Sequence, residues 1–469
     1  MSENPLAPPR LRFPEDASAL TARIWPASAT RTDDGELAVG GVAAADLVAQ
    51  YGSPLYVVDE RDVQSRAARV RTAFTDAFAR IGTRAHVYYA AKAFLTTQVA
   101  AWMAEADLRL DVCSAGEMAV GLAAGVDPAR MGLHGNDKSD AEIARAVELG
   151  LGTIVLDSHE EIGRVARAAT AAGTVQRVRI RINSGVHAST HDYLATARED
   201  QKFGIPLTEA VAAAEAVRAE PSLAFVGLHS HIGSQIFEES GFREAARRLM
   251  DVHAELVATG PVPELNLGGG WGIDYTEADS AFDPEDVAEA LATIVAEACA
   301  ERDIPVPEVA VEPGRYIVGP AGLTLYRVGT IKPVVLEDEH GTAATRTYVS
   351  VDGGMSDNVR PALYGADYTA RLVRTSDVPA VLTRVVGKHC ESGDVVVNDE
   401  YLPGDVRRGD LLAVAATGAY CWSLASNYNH VGRPPVVAVA DGAARILVRG
   451  ESIDDLLARD TGVVVGPGR

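Results

Sequence analysis

The chain has 469 residues, with 43 lysines and arginines against 65 aspartates and glutamates, so its formal net charge is −22. This acidity argues against a nucleic-acid partner, because duplex binders need clustered basic residues. No apolar run approaches the roughly 20 residues that cross a bilayer, and the first ten residues lack a signal-peptide pattern, so we expect no membrane association. Four cysteines without a CxxC pair favour the reducing cytoplasm.

Residues 1–45 are rich in proline, alanine, threonine and aspartate and show weak periodicity. We interpret them as a loosely ordered lead-in that packs with the C-terminal domain. From about residue 86, short β-rich runs alternate with alanine-rich stretches at helical spacing. Such alternation predicts βαβ units with a parallel sheet. The β-rich runs cover residues 86–90, 109–112, 131–134, 153–156, 177–182, 225–230, 264–267 and 308–311.

Eight such runs favour a closed (β/α)8, TIM-type barrel over residues 46–319, since an open sheet of this kind would usually be smaller. Two intervening segments begin with a capping signature, at Ser139 and Ser158, each followed three residues later by a glutamate. After residue 320 the runs become short and apolar, with glycine, proline and aspartate between them. We therefore predict a mostly β domain over residues 320–469.

Polar residues cluster where the predicted strands end. Lys92 follows the first run, Asp111 lies in the second, and Glu312 follows the eighth. The carboxyl end of the strands is the face at which barrel enzymes build their active sites. We therefore expect these side chains to share one site. The same pattern holds for His134, Asn136, Arg181, Asn183, His229 and His231.

The glycine-rich segment 268–272 follows the seventh run and exposes consecutive backbone N–H groups, which can cradle a phosphate. The glycines alone would more simply be a tight turn. Arg315 in the next loop adds a fork of donors and favours phosphate. Lys92, flanked by small and apolar residues, is either a surface lysine or a desolvated amine that forms a Schiff base. A lysine and a phosphate cradle on one rim together indicate pyridoxal phosphate (PLP).

Glu312 is the residue expected to tune this cofactor, because a carboxylate beside the ring nitrogen favours the protonated pyridinium. The simpler alternative is that Glu312 only pairs with Arg315. His229 and His231 alternate along one strand, and a metal pair is conceivable. We predict no metal site, since no HExxH motif or third ligand stands out. One histidine is expected to stack on the cofactor and the other to be structural.

Nine short segments over roughly residues 45–450 carry a specific pattern when taken in order, although each is weak alone. They are Tyr89-Ala90-Ala91-Lys92-Ala93, His134-Gly135-Asn136-Asp137-Lys138-Ser139, Gln201-Lys202-Phe203-Gly204, His229-Ser230-His231-Ile232-Gly233-Ser234-Gln235, Gly268-Gly269-Gly270-Trp271-Gly272, Glu312-Pro313-Gly314-Arg315, Arg360-Pro361-Ala362-Leu363-Tyr364, Cys390-Glu391-Ser392-Gly393-Asp394 and Gly418-Ala419-Tyr420. In this pattern the chain resembles the alanine-racemase-like (fold-type III) PLP decarboxylases, and within them the diaminopimelate decarboxylases. One departure is that the second segment contains Gly135-Asn136-Asp137-Lys138, where the family pattern leads us to expect a second asparagine.

The resemblance implies that Lys92 holds PLP covalently, that His231 stacks on the ring and that Glu312 meets the pyridine nitrogen. It also implies a homodimer, in which Cys390 and Glu391 reach in from the other subunit and the C-terminal β domain completes the active site. Glu391 would face the distal amino group of the substrate, and Cys390 is the first candidate for returning a proton. The other cofactor contacts would be Asp111, Ser234, Gly269, Gly270, Gly314, Arg315 and Tyr420, and the other substrate contacts Arg315, Arg360, Tyr364 and Tyr420.

The reaction implied is decarboxylation of meso-2,6-diaminopimelate to L-lysine and CO2, the last step of lysine biosynthesis. An ornithine, arginine or carboxyspermidine-type decarboxylase is the same-class alternative, and Arg360 and Tyr364 argue against the first two because their substrates lack a distal carboxylate. A racemase on the same barrel would be expected to carry arginine in place of Glu312. A non-catalytic PLP-binding protein is disfavoured by the intact Lys92 and Cys390.

Overall fold

A computed structural model of the chain describes residues 4–185, 202–231, 233–235, 239–337 and 340–462. Gln201 and Ile232, which belong to two of the nine segments, lie outside the described residues. The described residues divide into two compact units. The barrel unit is Gln64–Ile273 with Ser280–Ile317, and the β unit comprises the described residues of Met1–Val63, Asp274–Asp279 and Val318–Arg469.

The barrel unit contains eight parallel strands that close on themselves, which confirms the predicted fold class. Each predicted run overlaps one strand, and the pairing of β4 with β5 and of β8 with β1 closes the ring. The strands are β1 (Ala85–Ala90), β2 (Arg109–Val112), β3 (Met131–Leu133), β4 (Thr153–Leu156), β5 (Gln176–Asn183), β6 (Leu223–His229), β7 (Glu264–Asn266) and β8 (Glu308–Val311).

Helices connect these strands, and their first turns are closed by the residues that the sequence predicts. Ser139 Oγ accepts from the backbone N–H of Glu142, whose carboxylate accepts from the backbone N–H of Ser139. Ser158 Oγ accepts from the backbone N–H of Glu161. The helices are Glu60–Arg80, Thr97–Glu105, Ala115–Ala123, Asp140–Leu149, His159–Ala172, Ala210–Ala219, Glu239–Thr259 and Pro284–Arg302, with single turns at Ala91–Ala93, Pro128–Arg130, Leu207–Glu209 and Arg315–Val318 and a short strand at Ile205–Pro206.

Successive residues of β5 point to opposite faces of the barrel wall, and apolar and charged residues alternate along this strand. One face of β5 therefore presents charged side chains. Val178 and Ile180 are buried apolar residues, whereas Arg179 between them bonds Glu264 of β7 from Nη2 at 2.5 Å. Arg181 stacks its guanidinium on the ring of Phe203, with 4.2 Å between Cζ and the ring centroid. The buried cations are thus paired or stacked, as burial of charge requires.

The β unit is built on two sheets. A small antiparallel sheet contains Thr30–Arg31, Leu37–Val39 and Val42–Ala43. The large sheet has the order Val395–Pro403, Ala380–Val386, Ala343–Val351, Gly322–Glu337, Leu55–Asp59, Val436–Ala440 and Ala443–Val448, and Leu411–Val414 pairs with both Gly322–Glu337 and Ala370–Leu372. Its helices are Ala44–Tyr51, Arg360–Tyr364 and Ile453–Leu457, with single turns at Trp422–Leu424 and Tyr428–His430.

Residues 46–63 lie in the β unit, although the sequence analysis assigned 46–319 to the barrel. Leu55–Asp59 pairs antiparallel with Gly322–Glu337 and parallel with Val436–Ala440. The lead-in also contributes to the core of this unit, since Ile24 and Trp25 are each 1% exposed. A short apolar strand fits any buried sheet, so its partners are set by contacts far along the chain. Among the described residues, no helix is long and apolar enough to span a membrane.

Candidate active site

Glu312 lies directly after β8 and is the centre of a buried polar cluster in the barrel unit. Its side-chain Oε1 accepts a hydrogen bond from Asn266 Nδ2 at 2.7 Å, and Oε2 lies 3.1 Å from His229 Nε2. Burial alone would raise its pKa, but His229 and His134 hold the pKa of Glu312 well below the ordinary value. The carboxylate is therefore charged at neutral pH, as a partner for a pyridinium nitrogen must be.

Asp111 and His134 complete this cluster. His134 Nε2 lies 3.4 Å from both Asp111 Oδ1 and Glu312 Oε1. Burial lowers the pKa of His134 well below its ordinary value, and burial with the nearby charge of Glu312 raises the pKa of Asp111 well above its own. Like charges in one dry site disfavour each other, and the opposite shifts of the two pKa values mean that Glu312 holds a negative charge more readily than Asp111.

His134, His229 and Glu312 also form a group of the kind that holds a metal ion, with ligand atoms within 4.8 Å of one another. This is a different group from the His229 and His231 pair considered in the sequence. Both carboxylate oxygens of Glu312 already have neighbours, one in Asn266 and one in His229. Hydrogen bonds within the protein therefore already engage Glu312 and His229.

Lys92 lies on the single turn that follows β1. Its neighbours Ala91 and Ala93 are 1% and 0% exposed, but the Lys92 side chain is itself exposed in the described chain. The predicted apolar flanks are therefore present beside an exposed lysine at the carboxyl end of β1. Burial lowers the pKa of His231 well below its ordinary value, and the positive charge of the Lys92 ammonium lowers it further. The imidazole of His231 is therefore neutral and interacts electrostatically with the Lys92 amine.

The glycines of segment 268–272 are required by close backbone approaches. Gly268 has φ +69° and Gly270 has φ +114°, a region that other residues rarely adopt. A Cβ on Gly269 would lie 2.1 Å from the carbonyl oxygen of Glu312. The Gly269 backbone N–H points at His231, with 3.3 Å between N and Nδ1. The turn is thus tight, as the simpler interpretation expects, and it lies beside His231.

Arg315 lies at the start of the turn that follows β8 and is 6% exposed. Its Nη2 donates to Ser234 Oγ at 2.6 Å, which brings together two residues 81 positions apart that the sequence assigned to phosphate. A Cβ on Gly314 would lie 3.0 Å from Ala90, so only glycine lets this loop pack against β1. A guanidinium, a hydroxyl and glycine N–H groups are the donors that a phosphate needs, and with Lys92 and Glu312 this set fits PLP.

Arg360 and Tyr364 occupy one short helix of the β unit, Arg360–Tyr364. Arg360 is 3% exposed, and its guanidinium lies over the ring of Tyr275, with 4.8 Å from Cζ to the centroid. Tyr364 is half-buried at the end of the helix. Pro361 at the first turn fixes the helix start. A guanidinium and a phenol one helical turn apart are suited to bind a carboxylate through hydrogen bonds.

Cys390 and Glu391 lie in a turn of the β unit, and both are exposed. The Cys390 backbone N–H donates to Asn429 Oδ1 at 3.1 Å, and Glu391 Oε1 accepts from the backbone of Gly393 at 3.2 Å. The backbone of the turn is therefore held by hydrogen bonds, while Cys390 and Glu391 remain exposed. Tyr420 is half-buried and adopts φ +61°, an unusual conformation for a tyrosine.

The structure places the predicted site residues in two groups. Sequence reasoning did not assign Asn266, although a polar residue two positions after Glu264 in a barrel strand faces the interior. It left His134 and His229 without a role beside Glu312. The barrel unit holds Lys92, Asp111, His231, Ser234, Gly269, Gly270, Glu312, Gly314 and Arg315, and the β unit holds Arg360, Tyr364, Cys390, Glu391 and Tyr420.

Comparison with known proteins gives consistent matches. The family model for the pyridoxal binding domain of pyridoxal-dependent decarboxylases matches residues 60–319. Diaminopimelate decarboxylase of Mycobacterium tuberculosis is 49% identical over 448 residues, covering 94% of this chain and 98% of that protein. That of Corynebacterium efficiens is 46% identical over 458 residues, covering 96% and 97%. The crystal structure of diaminopimelate decarboxylase from M. jannaschii with L-lysine superposes with a TM-score of 0.85 at 30% identity, covering 92% of this chain and 97% of that one.

Proposed function

Because this chain belongs to the diaminopimelate decarboxylase family of PLP-dependent enzymes, we propose that it decarboxylates meso-2,6-diaminopimelate to L-lysine and CO2. One observation of the site carries this proposal beyond the family match. Glu312 is a buried, charged carboxylate with Asn266 and His229 as partners, at the carboxyl end of a barrel strand. A carbanion-forming decarboxylase needs a permanently protonated pyridine nitrogen, and a racemase does not.

The residues of the barrel unit would hold the cofactor in defined ways. Lys92 would supply the amine that binds the cofactor aldehyde, and Glu312 would accept a hydrogen bond from the protonated ring nitrogen. Arg315 and Ser234, with the N–H groups of Gly269 and Gly270, would bind the phosphate, and Gly314 and Asp111 would complete its surroundings. Tyr420 of the β unit is proposed as a further cofactor contact. His231 lies against the ring. When bound, PLP supplies a sink for the electron pair that remains after CO2 leaves.

Arg315, Arg360 and Tyr364 are proposed to hold the distal carboxylate of the substrate. An arginine binds a carboxylate through two parallel hydrogen bonds, and a phenol adds a third donor. Ornithine and arginine lack that carboxylate, so they would leave the Arg360 cation buried and unpaired, which costs binding energy. The burial of Arg360 supports this role, because an exposed arginine would discriminate less.

Cys390 and Glu391 are proposed to act on the substrate of the partner subunit in a homodimer located in the cytoplasm. Cys390 Sγ would return the proton after CO2 leaves, and Glu391 and Tyr420 would contact the distal end of the substrate. The exposure of Cys390 and Glu391 within one chain supports a role at a subunit interface. A molar mass measured by light scattering tests the dimer, and a monomer with full activity would contradict the shared site.

The activity is tested by CO2 release from meso-diaminopimelate, ornithine, arginine and carboxyspermidine with PLP present. We expect turnover of diaminopimelate alone, and loss of turnover by at least 10³-fold in Lys92→Ala, because the covalent anchor is lost. Lys332→Ala is the matched control, since Lys332 is an exposed lysine of the β unit. Comparable turnover of ornithine would contradict the specificity, and an active Lys92→Ala enzyme would contradict the mechanism.

A further inference from the structure

A closed ring of hydrogen bonds holds Arg360 inside the β unit. Arg360 Nη1 donates to the Tyr368 hydroxyl at 2.6 Å, and this hydroxyl lies 3.6 Å from Cys421 Sγ. Cys421 Sγ donates to Asn358 Oδ1 at 3.5 Å, and the same oxygen accepts the backbone N–H of Arg360 at 3.3 Å. All four residues are at most 3% exposed.

The chemistry of the four groups sets the direction of every bond in the ring. A guanidinium can only donate, so the Tyr368 hydroxyl accepts from Arg360 and gives its own proton to Cys421 Sγ. The thiol then donates to Asn358, whose amide oxygen accepts twice. Burial raises the pKa of Tyr368 well above its ordinary value, so the phenol keeps the proton that the ring needs.

Two tyrosine rings cover the guanidinium. Its Cζ lies 4.8 Å from the ring centroid of Tyr275 and 5.7 Å from that of Tyr368. The two rings meet edge to face, with 5.1 Å between centroids and 77° between planes. Tyr275 is itself fixed, because its carbonyl oxygen accepts from Thr369 Oγ1 at 2.9 Å. Aromatic faces exclude water from a guanidinium and leave its N–H edge as the polar contact surface.

We infer that Tyr368, Cys421 and Asn358 are positioning residues that orient Arg360 toward the distal carboxylate and thereby set substrate specificity. The inference rests on the proposed function, since it requires that Arg360 bind this carboxylate. Among the described residues, the Tyr368 hydroxyl is the one side-chain acceptor for this guanidinium, so its remaining N–H groups are available for a ligand. A pre-oriented cation loses little rotational freedom on binding, which improves affinity rather than the rate of chemistry.

The test compares Tyr368→Phe with the wild-type holoenzyme in steady-state turnover of meso-diaminopimelate. We expect KM to rise about tenfold or more with kcat unchanged, because only the hydrogen bond that orients the guanidinium is lost. Tyr401→Phe, which removes the hydroxyl of another buried tyrosine of the same unit, is expected to leave both constants unchanged. The thermal midpoint and PLP content of each variant establish that it is folded and loaded.

Cys421 gives a second, independent pair of variants should Tyr368→Phe fail to fold. Cys421→Ala breaks the ring and is expected to raise KM about threefold to tenfold, whereas Cys421→Ser keeps a donor and acceptor and is expected to restore the wild-type KM. Equal KM values for alanine and serine, or a fall in kcat at constant KM, would overturn the positioning role. Absence of turnover by the wild-type enzyme would overturn the proposed function and with it this inference.

Discussion

Asn266 Nδ2 donates a hydrogen bond of 2.7 Å to Glu312 Oε1, and this bond joins two buried residues at the ends of neighbouring barrel strands. The same asparagine accepts the backbone N–H of Gly268 through Oδ1 at 2.8 Å. One side chain therefore connects the charge of Glu312 to the start of the glycine-rich turn. Its orientation is fixed from both sides, so a change at Asn266 should affect charge and turn geometry together.

Replacing Asn266 with leucine should lower kcat/KM about 10- to 100-fold, because a hydrogen bond to a charged buried group contributes about 1.5–3 kcal/mol. The pKa of Glu312 would rise once a donor to its charged form is lost. The acid limb of the pH profile should therefore move to higher pH. A profile that keeps its wild-type acid limb would show that Asn266 does not tune Glu312.

Glu312→Gln should reduce kcat about 10²-fold or more with PLP still bound, since a neutral amide cannot favour the protonated ring nitrogen. Glutamine has nearly the same size and shape as glutamate, so the reduction of kcat would result from the lost negative charge. The measurement is single-turnover CO2 release from loaded enzyme. Glu308→Gln, at the other end of β8, is the matched control and should retain activity.

Ser234→Ala should raise the dissociation constant of PLP several-fold without a comparable fall in kcat at saturating PLP. Arg315 Nη2 would lose its hydroxyl partner, and with it the alignment of its donors. Titration of the apoenzyme with PLP measures the effect. Thr174→Ala removes an exposed hydroxyl of the same unit and should leave PLP affinity as it is.

Lys138→Met should destabilise the barrel unit by about 3–5 kcal/mol, because it leaves the buried carboxylate of Glu161 without its cation. Lys138 Nζ lies 3.0 Å from both Glu161 carboxylate oxygens and 2.7 Å from the carbonyl oxygen of Val155. Adding Glu161→Leu to Lys138→Met should recover much of the lost free energy of unfolding, because no unpaired charge then remains buried. Urea unfolding of the two single variants and the double variant gives the coupling, and additive effects would contradict a paired charge.

His253 should make stability fall as the solution becomes acidic. It is 1% exposed, and burial lowers its pKa to about 4. The unfolded chain binds a proton at about pH 6.5 and the folded chain only at about pH 4, so stability is complete above pH 6.5 and decreases between these values. The decrease amounts to about 3 kcal/mol. In His253→Gln, unfolding measured from pH 4 to pH 7 should lose this slope.

The sequence by itself determined the barrel, its eight strands and the residues at their carboxyl ends. These features follow from local periodicity, capping residues and glycine spacing, which neighbouring residues encode. It also placed Lys92, Glu312 and Arg315 on loops that a barrel brings to one rim. The segment that contains Lys138 was visible as well, but the pairing of Lys138 with Glu161 was not, because Glu161 is 23 positions away.

Only the tertiary structure decided which buried groups carry charge, which side chains hold one another in place and which strands pair. The charge on Glu312 depends on Asn266 and His229, and the hold on Arg360 depends on Cys421, 61 positions further along the chain. Likewise, Leu55–Asp59 joins the β unit because its pairing partners begin at residue 322. Hydrogen bonds and strand pairing act over a few ångströms between residues that are distant in sequence, and no local pattern records which of them meet.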